Sequence, residues 1–166
     1  MISVDQYLNR SYDPDRDYVD GEIVERNRGE REHSERQGEL IIYLSRLRNQ
    51  LGLHIFPEQR VQVLPTRFRI PDICVVAGPR PTTPIFVEPP FLCIEILSKD
   101  DRYQDTREKI EDYRNFGVKY VWVIDPKTRK ADIYGPAGFL TTTGDVLRTN
   151  DPEIVISLAE LYQSIE

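Results

Sequence analysis

Cysteine is scarce in this chain and long apolar runs are missing, and each shortage removes a class of protein. Only Cys74 and Cys93 occur. Both fall inside Val- and Ile-rich runs without the paired spacing of a metal site, so buried, reduced thiols of a cytoplasmic protein are expected. No stretch approaches the roughly 20 apolar residues that cross a bilayer, and the opening MISVDQYLNR lacks the apolar segment of a secretory signal, so no membrane partner is expected. Histidine is limited to His33 and His54. With no GxSxG turn in the chain, a hydrolase triad built on Ser98 and a histidine lacks its scaffold. Basic residues are outnumbered, 22 Lys and Arg against 28 Asp and Glu. That balance argues against general nucleic-acid affinity but leaves room for a local basic surface, for which Arg102 and Arg107 are candidates. No internal repeat or low-complexity segment is present.

What is there is enough for one globular domain over 1–166: 39% apolar and 30% charged residues suit a folded chain that closes a core. Three short runs rich in Val and Ile, at 70–77, 91–97 and 120–124, read as buried strands. Upstream, a short helical turn is expected over 4–9. A hairpin follows over 17–24, where Asp20-Gly21 suits a tight I′ turn. The polar stretch 27–32 is expected as a loop. From 33 to 51 an amphipathic helix carries Leu40, Leu44, Leu47 and Leu51 on one stripe and stops at Gly52. His33 and Gln37 continue that stripe to the helix N-terminus. One strand is expected over 54–63 and the next over 68–77, followed by a proline-rich loop over 78–90. A helix is expected over 103–116, a trailing hairpin over 130–142 and a short helix over 158–165. The order helix, three strands, helix, strand describes an α/β fold with a mixed sheet flanked by helices.

Two buried-strand patterns each hold an acid, Asp72 and Glu95, where a core strand would hold an apolar residue. An unpaired buried carboxylate costs several kcal/mol, so such groups are paired, protonated or bound to a cation. If the second and third strands pair antiparallel, both acids meet at one end of the sheet, on the face shared with Cys74 and Cys93. Periodicity leaves two accounts open. Either the acids hold a hard cation such as Mg²⁺ or Mn²⁺, or each pairs with an arginine among Arg60, Arg67 and Arg69. On the following helix Asp105, Lys109 and Tyr113 recur at i, i+4 steps, which permits both a plain Asp105–Lys109 surface pair and a functional lysine. Glu58 and Gln59 are candidates for groups supporting the acids.

Pro71-Asp72, Glu95 followed by Ile-Leu-Ser, then Asp105, Lys109, Tyr113 and the phrase GVKYVWVIDP resemble the Uma2-type (DUF820-like) endonucleases of the PD-(D/E)XK, or restriction-endonuclease-like, superfamily. The resemblance runs from the DYVDGEIVER hairpin past IDP and so covers most of the chain. It implies an αβββαβ core with N-terminal and C-terminal hairpins. It also implies a Mg²⁺ (or Mn²⁺) site on Asp72, Glu95 and the Ile96 carbonyl, and hydrolysis of DNA phosphodiesters. The superfamily pattern places a lysine two residues after Glu95, where this chain has Leu97. The resemblance implies that Lys109 supplies the ammonium instead, assisting attack by water. His33, Gln37 and Asp105 are expected to line the site. A symmetric homodimer would allow cleavage of both strands. Two other readings stay open at this point, a weak or inactive nuclease-fold protein serving in binding or assembly, and a hydrolase of another phosphorylated substrate.

Overall fold

The computed structural model describes residues 1–26 and 30–163. Its central sheet grows from the apolar runs. β6 (Ile73–Ala77), β7 (Leu92–Ile96) and β8 (Tyr120–Asp125) lie side by side, buried on both faces over most of their length. Strands buried on both faces read as continuous apolar stretches, which is why these three stand out in the sequence. β6 and β7 are antiparallel across the proline-rich loop. β7 and β8 are parallel, so the chain must cross over between them, and α3 (Tyr103–Phe116) is that crossover. β3 (Leu53–Pro57) closes one edge of the sheet. β9 (Lys130–Gly135) and β10 (Gly138–Thr143) close the other, giving the order β10-β9-β8-β7-β6-β3.

One face of this sheet is covered by α2 (Arg31–Leu51), with Leu40 and Leu44 fully buried against Leu53, Ile73, Ile94 and Trp122. The helix ends at Gly52, whose left-handed backbone (φ 66°) a side chain would strain. α4 (Leu158–Gln163) joins the same layer: buried Arg36 donates from Nη1 to the Leu161 carbonyl at 2.8 Å and stacks on Tyr162. The other face is covered by α3, whose Ile110 and Tyr113 pack on Cys74, Cys93, Val121 and Val123. Cys74 and Cys93 sit opposite each other on adjacent strands, buried and unlinked, and burial pushes the Cys74 thiol up to about 12. Among the described residues, no helix is long and apolar enough to cross a membrane.

The fold is the α/β arrangement expected, with its αβββαβ core in α2, β3, β6, β7, α3 and β8, but two expected strands divide. The stretch 54–63 yields β3 and, separately, β4 (Val61–Leu64), and the stretch 68–77 yields β5 (Arg67–Arg69) and, separately, β6. The chain leaves the main sheet after Pro57, where Glu58 adopts a positive φ of 51°. It re-enters only after Pro71, which has no N–H to give a ladder. The excursion between these breaks pairs with the N-terminal hairpin, β1 (Asp17–Val19) and β2 (Glu22–Val24), in a second sheet of order β2-β1-β5-β4. Asp20 and Gly21, at φ 49° and 98°, form the hairpin's turn. α1 (Val4–Leu8) buries Tyr7 against Tyr18 and Phe68 on this sheet. A further hairpin, β11 (Val146–Arg148) with β12 (Val155–Ser157), was not legible in the sequence, because three-residue strands carry too little alternation to register. The expected loop over 27–32 begins in part outside the described residues, and α2 already starts at Arg31. The terminal helix is described to Gln163.

Candidate active site

The register of β6 and β7 sets Ile73 opposite Ile94 and Cys74 opposite Cys93. Continued by one residue past Ile73, it sets Asp72 opposite Glu95 at the end of the sheet. The two acids are 5% and 6% exposed, so each must find partners inside the protein. Asp72 finds them from three elements. Its Oδ2 accepts from the Ile96 amide at 2.7 Å. Its Oδ1 lies 3.1 Å from His33 Nε2 and 3.2 Å from Arg26 Nη2. Its main-chain carbonyl accepts from Gln37 Nε2 at 2.9 Å and from the Glu58 amide at 3.2 Å. His33 and Gln37 reach it together because they stand one turn apart on α2, at the end of the stripe whose leucines pack on the sheet.

Glu95 is held from the opposite layer. Tyr113 of α3 donates its hydroxyl to Glu95 Oε1 at 2.6 Å. Lys109, one turn earlier, projects to the same region and pairs with Asp17 Oδ2 at 3.8 Å. Asp17 is fully buried. Its Oδ1 accepts from the Ile70 amide at 3.1 Å, and its Oδ2 also faces Arg69 Nη1 at 3.3 Å. Arg69 in turn binds Asp112 of α3 through Nε at 2.7 Å. The N-terminal hairpin is thereby tied to the helix that carries Lys109.

These contacts shape the charges. Burial pushes the Glu95 carboxyl up to about 7, the Lys109 ammonium pulling against it and the Asp72 charge adding to it. Burial acts on Asp72 in the same sense. There it is overcome by the hydrogen bond and charge of His33, the Ile96 amide and Arg26, so its carboxyl is held below the usual range. Burial works against a charged His33 and a charged Lys109, yet both are raised, His33 by Asp72 and then Glu95, Lys109 by Glu95, Asp17 and Asp72. The result is a site where acids and cations alternate in a nearly dry volume.

The structure thus brings Asp72, Glu95, Ile96, Lys109, His33 and Gln37 to one end of the sheet. Asp105 is exposed, and the ion pair drawn for Lys109 runs to Asp17. The arginines weighed as partners of the acids are engaged elsewhere: Arg60 with Asp15, Arg67 with Asp20 and Asp112, Arg69 with Asp17 and Asp112. Glu58 does reach the cluster, 3.6 Å from Arg26 Nη1, whereas Gln59 bonds the carbonyls of Arg60 and Pro84. Sequence reasoning missed Arg26 and Asp17. Neither stands in a periodic pattern, and Asp17 meets its partners Ile70, Arg69 and Lys109 only through tertiary packing. Beside the cluster, at the C-terminal ends of β7 and β8, opens a pocket of about 410 Å³ whose lining includes His33, Leu97, Ser98, Arg107, Asp132 and Tyr134.

Among the described residues, no group of three or more His, Cys, Asp or Glu converges as a closed ligand cage. Two buried carboxylates of adjacent strands nevertheless suit Mg²⁺. That ion keeps several waters and is bound through one or two carboxylates together with substrate phosphate oxygens, not by an all-protein cage. The residues fit that mode.

Residues 4–161 match the Uma2 family, described as "putative restriction endonuclease". No curated protein matches the chain. Among solved structures, the fold is similar to that of a "putative nuclease belonging to DUF820" from Anabaena variabilis ATCC 29413. The TM-score is 0.85 at 22% identity, over 98% of this chain and 98% of the other. At that identity the likeness speaks for the fold.

Proposed function

The chain belongs to the Uma2 family, and from that premise we propose that it is a Mg²⁺- or Mn²⁺-dependent endonuclease that hydrolyses DNA phosphodiesters at Asp72, Glu95 and Lys109. The observation that carries this reading is the convergence of two buried carboxylates from adjacent strands with a lysine from the facing helix. Asp72, Glu95 and the Ile96 carbonyl would hold the divalent ion. Bound there, the ion supplies Lewis-acid polarisation of the phosphate and lowers the pKa of water at neutral pH.

The rest falls to the chain's own side chains. Water attacks phosphorus and the bond to the leaving sugar oxygen breaks, while negative charge grows on the non-bridging oxygens. Lys109, its ammonium held charged by Glu95, Asp17 and Asp72, is placed to orient the water and to face that charge. Fixed cations in a water-poor site stabilise such charge at little reorganisation cost. Tyr113 fixes one oxygen of Glu95, and Gln37 fixes the main chain of Asp72. Both acids are thus pre-oriented before substrate arrives.

The test is conversion of supercoiled plasmid by the full chain with Mg²⁺ or Mn²⁺, with chelator, and as Glu95→Gln. Cleavage that needs the metal and is lost in Glu95→Gln is expected. Cleavage that persists in chelator or in Glu95→Gln would refute the assignment.

A further inference from the structure

Arg26 holds one flank of Asp72 and holds it loosely. Its side chain is 8% exposed, and among the described residues its guanidinium makes one hydrogen bond, from Nη2 to Asp72 Oδ1 at 3.2 Å. Nη1 is buried without a hydrogen bond, and Glu58 Oε1 stands 3.6 Å away, half exposed. Arg60 shows a clamped carboxylate in this chain: it grips Asp15 through Nε at 2.6 Å and Nη2 at 2.7 Å. A planar guanidinium has five donors arranged for such two-point contacts. One that leaves donors unused beside a pair of acids is acting as a counter-charge, not as a clamp.

We propose that Arg26, beside His33, is a cation that occupies Asp72 in the metal-free protein, and that its guanidinium and a divalent ion exclude each other there. The guanidinium then gives way toward Glu58 as the ion enters. This rests on the reading of Asp72 and Glu95 as metal ligands. A dication bound to Asp72 and a guanidinium on the same carboxylate oxygen would meet as like charges in a buried volume, where screening is weak. Glu58 gives the displaced group a second carboxylate within reach of its free edge. Arg26 thereby sets the metal concentration at which the site loads, as an internal competitor that no spacing in the superfamily pattern describes.

The experiment is titration of the full chain with Mn²⁺ at neutral pH, reading free Mn²⁺ by electron paramagnetic resonance. Wild type, Arg26→Met, Glu58→Gln and Asp72→Asn are compared. Asp72→Asn is expected to lose binding. Arg26→Met is expected to bind about tenfold tighter or more, since an adjacent buried positive charge is removed. It should also show a larger rise in melting temperature on adding Mn²⁺. Glu58→Gln, which leaves Arg26 to Asp72 alone, should bind severalfold more weakly. Wild-type affinity in Arg26→Met, with binding lost in Asp72→Asn, overturns the competition while leaving the metal site standing. Should Arg26→Met not fold, Glu58→Gln decides, and unchanged or tighter binding there overturns the proposal. No binding by wild type at millimolar Mn²⁺, or undiminished binding in Asp72→Asn, overturns the metal reading itself.

Discussion

Replacing Asp72 by asparagine separates two pictures of the acid pair. If Asp72 and Glu95 mainly repelled each other, neutralising one would stabilise the metal-free protein. The contacts say the reverse. Asp72 is the acceptor for the Ile96 amide at 2.7 Å, His33 at 3.1 Å and Arg26 at 3.2 Å. Asparagine keeps one carbonyl oxygen, enough for the Ile96 amide. It leaves Arg26 buried without its charge partner and turns an amide N–H₂ toward cations. Removing one member of a buried pair costs about 3–5 kcal/mol, and the retained hydrogen bond argues for the lower end, about 3 kcal/mol. For a chain of this size each kcal/mol moves the melting temperature by about 2–4 °C, so a fall of about 6–12 °C is expected. The assay is thermal unfolding followed by circular dichroism in excess chelator. Repeated with Mn²⁺, it should show a rise in wild type and none in Asp72→Asn. A melting temperature in chelator equal to or above wild type would refute the reasoning, because repulsion between the acids would then outweigh the pairing with Arg26 and His33.

Lys109→Met keeps the aliphatic stem and removes the charge, while Asp17 retains Arg69 and the Ile70 amide. It should fold and still bind Mn²⁺, yet lose about a hundredfold or more of plasmid cleavage rate, and full activity would leave Lys109 a structural ion pair. The metal-free protein should also lose stability as pH rises from about 5 to 8. Glu95 is raised by burial from its ordinary 4.5 to about 7, so the native state holds a proton that the unfolded chain has released, and that advantage fades through this window. His33 is disfavoured as a cation by burial but raised on balance by Asp72. Its contribution is complete below its unfolded value and is lost as pH climbs through its folded one, the same sign. Melting temperatures in chelator should therefore fall across that range and flatten in Glu95→Gln, and a rise with pH in wild type would contradict both assignments.

The parts of the fold that could be read from sequence are those where burial imposes a period. β6, β7 and β8 are apolar on both faces and announce themselves, and α2 and α3 show their stripes and end at Gly52 and Gly117. The meeting of Asp72 and Glu95 was legible too, because antiparallel pairing across one loop fixes which residues oppose. Where the second sheet intervenes, the pattern is silent. The run 54–77 passes from loose alternation to a continuous apolar stretch, and the unbondable Pro71 and the positive φ of Glu58 divide it between two sheets. Asp17 and Arg26 come to the cluster through contacts more than 40 residues distant in sequence. No local spacing encodes contacts of that kind.

On the proposed assignment, the ammonium comes from α3 and not from the strand position two residues after Glu95. Counting by two along β7, Cys93, Glu95 and Leu97 share the face that α3 covers. Leu97 packs there as a partly buried member of the cluster formed by Cys93, Ile110 and Val123. An ammonium at residue 97 would start from the strand and would have to emerge through that apolar contact. Lys109 comes from the opposite layer, with its partner Asp17 waiting at the end of its stem. The developing charge on a phosphate responds to where a cation sits, not to which element sent it. Leu97 therefore adds apolar packing beneath α3, and on the proposed assignment the ammonium is left to the helix. That arrangement holds only if the helix is fixed, and the fixing is done by the Asp17–Arg69–Asp112 chain, which fastens α3 to the N-terminal hairpin. On the proposed assignment the second sheet is thus part of the active-site framework, because it helps set the place of Lys109.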